Sequence, residues 1–140
     1  MKHHYSLKWF MTTALSYLGT PYRWGGDDPS GFDCSGFVLE CLKTIGLCDE
    51  HYDYTANALL HFLTDNNTLE TPEKGALLFY LNEENKAYHV VICLDQFYQI
   101  GASGGNSQTT DTQKAWNKNA YIKIRPIHFN HKKMKLLRLF

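Results

Sequence analysis

Apolar residues at helical spacing in the first third of the chain, then short apolar runs broken by polar turns in the second half, predict an α+β domain on an antiparallel sheet. The composition agrees: 140 residues, 44% hydrophobic and 20% charged, suit one globular domain. A chain of this size buries roughly 68–70% of the surface its unfolded form exposes, so it needs neither disulfides nor a structural metal to hold its core.

The first helix is expected over residues 6–18, where Leu7, Phe10, Met11, Ala14, Leu15 and Leu18 recur on one face and Gly19 stops the run before Pro21. Residues 20–32 hold Pro21, Gly25, Gly26, Pro29 and Gly31, which neither helix nor regular strand tolerates together, so a long loop is expected there. Asp33 is placed to cap a second helix whose stripe of Phe37, Val38, Cys41, Leu42 and Ile45 runs to Gly46. Thr55 caps a shorter helix over 55–63, with Ala56, Leu59, Leu60 and Leu63 inward. Beyond the turns at Asn66-Asn67 and 72–75, strands are expected at 76–81, 89–94, 97–102 and 121–127. In residues 130–140, Lys132, Lys133, Lys135 and Arg138 alternate with Met134, Leu136, Leu137 and Leu139. That segment reads as a basic amphipathic extension (127–140) docked against a core of about 6–126.

Charge and cysteine usage narrow the function classes. Fourteen Lys and Arg balance fourteen Asp and Glu, so the long-range attraction of a nucleic-acid binder is absent and no nucleic-acid partner is expected. Lys8 breaks the apolar run a secretory signal needs, and no stretch reaches the roughly 18 apolar residues of a membrane span. The chain therefore reads as made in the cytoplasm, as a monomer, with Cys34, Cys41, Cys48 and Cys93 as free thiols. The seven-residue spacing of the first three resembles neither zinc-ligand pairs nor a redox motif, and no metal or cofactor is expected. The glycine-rich run 102–107 lacks the Lys-Ser/Thr ending of a phosphate loop.

Cys34 alone among the cysteines falls on the first turn of a helix, where unpaired N–H groups and the dipole favour thiolate and can hold an oxyanion. A small buried hydrophobe is the competing reading from position alone. A nucleophile needs a base. Of the seven histidines only His89 opens an apolar strand, Val90-Val91-Ile92-Cys93-Leu94. His3, His4, His128 and His131 lie near the termini, His51 in a polar loop and His61 on a short helix.

The run Tyr17-Leu18-Gly19-Thr20-Pro21-Tyr22-Arg23-Trp24-Gly25-Gly26, followed by Gly31-Phe32-Asp33-Cys34-Ser35-Gly36-Phe37, resembles the signature of the NlpC-type cysteine peptidases. Gly75-Ala76-Leu77-Leu78-Phe79-Tyr80 and His89-Val90-Val91-Ile92 resemble the family's strand motifs. The resemblance implies a papain-like α+β fold and hydrolysis of bacterial cell-wall peptides, commonly between γ-D-glutamate and a diamino acid. It implies Cys34 as nucleophile and His89 as base, with Tyr22, Trp24, Asp33, Ser35 and Ser103 contributing to the substrate site. Two departures stand out: Ala76 replaces a usual aspartate, and the family's third, base-orienting position falls on Gly101, which has no side chain. Residues 99, 101 and 103 share a strand face, so Gln99 is the favoured substitute, with Ser103, a backbone carbonyl or a water as alternatives. A wall-binding module without turnover, and an amidase or acyltransferase on the same fold, are the competing functions. Without a leader, such an enzyme is expected to reach the wall by lysis, a secretion machine or a phage particle, or to act on muropeptides inside the cell.

Overall fold

The computed structural model describes residues 2–28, 31–48, 54–63, 65 and 67–140. Pro29, His51 and Asn66, which the sequence places in loops or turns, lie outside the described residues, as do the side chains of His3 and His4.

Helix α1 (Lys2–Ser16) buries Phe10, Met11 and Ala14. It ends at Ser16, short of the expected Leu18; Leu15 within it and Leu18 beyond it are both exposed rather than inward, and Gly19 turns the chain with φ +86°. The expected loop is more ordered than its composition suggests: β1 (Asp27–Asp28) and β2 (Gly31–Phe32) pair antiparallel within it. Phe32 anchors the hairpin because its ring is fully buried against Tyr17 and Phe37, with centroids 5.0 and 6.1 Å away. Helix α2 (Cys34–Thr44) follows at once, capped by Asp33, and buries Phe37, Val38, Leu39, Cys41 and Leu42. The Thr55 hydroxyl accepts from the Ala58 N–H at 3.1 Å to cap α3 (Ala56–Phe62).

The strands are β3 (Thr68–Leu69), β4 (Leu77–Leu81), β5 (Ala87–Cys93), β6 (Tyr98–Ser103), β7 (Tyr121–Pro126) and β8 (Met134–Leu137). They form a six-stranded antiparallel sheet in the order β3-β8-β4-β5-β6-β7. A short helix, α4 (Thr112–Asn117), precedes β7; the sequence hides it because only Ala115 is buried, which leaves no apolar stripe. The C-terminal segment, read as a docked extension, enters the sheet as β8 between β3 and β4. Leu136 and Leu137 are both fully buried, one on each face, and the lysines around them mask that pattern in the sequence.

Strand alternation divides the packing. Val90, Ile92, Ile100 and Ala102 join the helices in the main core, whereas Val91 and Cys93 join Ala76, Leu78 and Leu136 in a second cluster on the opposite face. Gly101 belongs to that second face. A Cβ there would stand 3.1 Å from the Val91 Cβ and overlap the Val91 Cγ1, so Val91 fills the space a side chain at 101 would take.

Candidate active site

The end of the sheet and the start of α2 enclose a cleft of about 600 Å³. Its walls include Tyr22, Trp24, Cys34, His89, Gln99 and Ser103, six of the eight residues singled out in the sequence. Asp33 and Ser35 do not line it. Asp33 Oδ1 accepts from the Gly36 N–H at 2.7 Å and from the Ser35 hydroxyl at 3.4 Å, and Oδ2 accepts from the Gly25 N–H at 3.1 Å. These bonds tie the loop to the first turn of α2 and so hold Cys34 in place.

The Cys34 thiol does not ionise as its helix position suggests. Burial pushes it up to about 11, assisted by the Asp33 carboxylate, against opposing N–H donors from Val90, Ser35 and Cys34 itself. Desolvation thus outweighs the helix terminus. His89 moves the other way: burial, then the nearby Arg125 guanidinium, lowers it to about 4. At neutral pH the cleft therefore holds a thiol and a neutral imidazole. Tyr22 is buried, and desolvation, with the proximity of Cys34 and Asp33, raises its hydroxyl, which stays protonated as a donor.

The cleft also contains residues that sequence reasoning missed: Tyr80, Tyr88, Arg125 and His128. Tyr88 reaches it through a β-bulge. Tyr80 pairs with His89 and Leu81 with Ala87, leaving Tyr88 unpaired, so two successive residues reach one cleft where a regular strand would separate them. Tyr88 is 63% exposed there. His128, peripheral by its place near the terminus, lines the same cleft together with Pro126 and Met134. The glycine-rich run forms an organised rim. Gly105 lies so close to the Tyr22 ring that any side chain would collide with it, and the Asn106 side chain accepts from the Gln108 N–H at 2.9 Å. Among the described residues no group of three or more His, Cys, Asp or Glu is arranged to hold a metal, and no helix is long and apolar enough to cross a membrane.

An α+β fold with a cysteine on the first turn of a buried helix and a histidine on the adjoining antiparallel sheet has the papain-like architecture. Within that class the chain belongs to the NlpC/P60 family, whose profile matches residues 19–126. It is 39% identical over 95 residues to a dipeptidyl-peptidase 6 of Lysinibacillus sphaericus, covering 67% of this chain and 32% of that protein. It is 32% identical over 123 residues to the murein DD-endopeptidase MepH of Escherichia coli K12, covering 84% of this chain and 44% of that protein. The chain therefore spans less than half the length of either relative. Among solved structures it resembles the NlpC/p60 domain of the peptidoglycan hydrolase SagA, with TM-score 0.67, 22% identity, and coverage of 95% of this chain and 98% of that one. It also resembles the P60 domain of a Mycobacterium avium subspecies paratuberculosis antigen, with TM-score 0.72, 18% identity, and coverage of 99% and 97%.

Proposed function

We propose that the protein is a cysteine-type endopeptidase that hydrolyses peptidoglycan stem peptides, with Cys34 as nucleophile and His89 as base. The observation that carries this reading is the meeting of Cys34, from α2, and His89, from β5, in one cleft. Neutral His89 takes the thiol proton as sulfur attacks the scissile carbonyl, and then delivers it to the leaving amine. N–H groups at the start of α2 and the protonated Tyr22 hydroxyl are the donors available to the developing oxyanion. Water activated by His89 releases the acyl group and restores the thiol. The exposed rings of Trp24 and Tyr88 offer flat apolar surface to the substrate, and Arg125 is a cation suited to a stem-peptide carboxylate.

The bond proposed is the one between γ-D-glutamate and the diamino acid. Mass spectrometry of purified muropeptides after incubation tests it: two peptides should appear whose masses sum to the substrate plus one water, one ending in glutamate and the other beginning with the diamino acid. Release only at the sugar, or no product after long incubation, overturns the reading. The Escherichia coli relative is named for a DD bond, and the same product masses separate that specificity from the γ-D-glutamyl one.

The pH profile provides a second test. With His89 lowered to about 4 and Cys34 raised to about 11, the thiol and neutral imidazole coexist between those values. Activity requires the unprotonated imidazole, so kcat/KM should rise through about pH 4, stay level across neutrality and fall only near 11. An acid limb near the ordinary histidine value of about 6.5 would contradict this electrostatic picture.

A further inference from the structure

Gly101 leaves the base without the side chain that usually orients it, and Val91 fills the space. Gln99 is level with Cys93 in the β5–β6 register, four residues along β5 from His89. The hydrogen bond its side chain makes is to another residue: the Tyr80 hydroxyl donates to Gln99 Oε1 at 2.6 Å. Tyr80 sits directly opposite His89 in the β4–β5 register, and its ring lies 5.3 Å from the imidazole at an interplanar angle of 43°. Gln99 is 8% exposed, so its carbonyl is a fixed anchor for the phenol rather than a solvated group. The phenol is held at its far end by Gln99 while its ring lies tilted beside the imidazole.

We propose that Tyr80 is the positioning residue for His89, and that Gln99 acts on the base only through the Tyr80 hydroxyl. Ring packing then takes the place of a side-chain hydrogen bond from the third position. The inference rests on His89 serving as base, and its test has one arm that needs no turnover.

Tyr80→Phe keeps the ring and removes the hydroxyl, and Gln99→Met keeps the side-chain length and removes the amide. Each should lower kcat for muropeptide cleavage about five-fold with KM unchanged, the loss of one hydrogen bond. The double variant should lose no more than either single, because both changes cut the same bond. Tyr80→Ala, which removes the ring, should cost about a hundred-fold in kcat through misplacement of the base. In the second arm, the imidazole nitrogen NMR shifts of His89 are recorded without substrate in a Cys34→Ala background. They should move in the same direction in Tyr80→Phe and Gln99→Met. Wild-type kcat in both conservative variants, or losses that multiply in the double variant, would overturn the proposal, as would unmoved imidazole shifts. If the unaltered protein hydrolyses no muropeptide, the peptidase reading fails and the imidazole shifts alone decide the role of Tyr80.

Discussion

Cys34→Ala should abolish muropeptide cleavage, lowering kcat by at least about four orders of magnitude, the scale seen when a covalent nucleophile is removed. The fold should persist. Cys34 is half-buried on the first turn of α2, where alanine is the better helix former, and the Asp33 cap accepts from the Gly25 and Gly36 N–H groups and the Ser35 hydroxyl, bonds that do not involve the thiol. Circular dichroism and thermal unfolding of the variant should therefore match the parent while product formation disappears. Two of the other three thiols serve as an internal control: Cys41 and Cys93 are fully buried and burial raises both, so a thiol-directed electrophile should modify Cys34 ahead of them. With Cys34 itself held up at about 11, that labelling should accelerate as pH rises toward this value. Residual turnover in Cys34→Ala beyond contamination would remove the nucleophile from the mechanism and the mechanism with it.

Gly36→Ala should be the most damaging of the small changes around the site. A Cβ at position 36 would overlap the Gly26 carbonyl oxygen and lie 2.8 Å from Asp33 Oδ1. The Gly26 carbonyl is held where it is by the Asp33 N–H at 3.1 Å, so it has little room to retreat. Either the hairpin loop moves off α2 or the Asp33 cap opens. The expected cost is about 3 kcal/mol, or a fall of about 10 °C in Tm. Activity should fall further than stability, because the displaced segment positions Cys34. Gly46→Ala is the matched control: Gly46 has φ +76° but open space around its Cβ position, so alanine there costs only the left-handed backbone strain of about 1–2 kcal/mol. Equal Tm for the parent and Gly36→Ala would show that the loop and helix do not pack as described.

Much of the site was legible because it is written locally. The Asp33-Cys34 pairing is a helix cap followed by a first-turn cysteine, and cap chemistry depends on neighbours three residues away. His89 is legible because the apolar run from Val90 to Leu94 follows it directly, although β5 itself begins two residues earlier at Ala87. The protonation state of Cys34 was not: a helix terminus argues for thiolate, but burial wins, and burial is a property of the folded chain rather than of the neighbouring sequence. The same reason hid Tyr88 and Tyr80. A bulge is a mismatch between two strands, and neither strand records it alone. The strand face that Gln99 shares with Gly101 favours it, among the alternatives, as a partner of the base, whereas its side chain accepts from Tyr80, which lies 19 residues earlier.

The amino-acid sequence by itself determined the class of fold and the family, and it singled out Cys34 and His89, which line one cleft, because periodicity, capping and motif spacing are properties of short stretches. Only the tertiary structure decided that β8 belongs inside the sheet, that Val91 closes the space beside Gly101, and that thiol and imidazole rest uncharged. Each of these is set by strand register or by desolvation, and both depend on which distant residues are brought alongside.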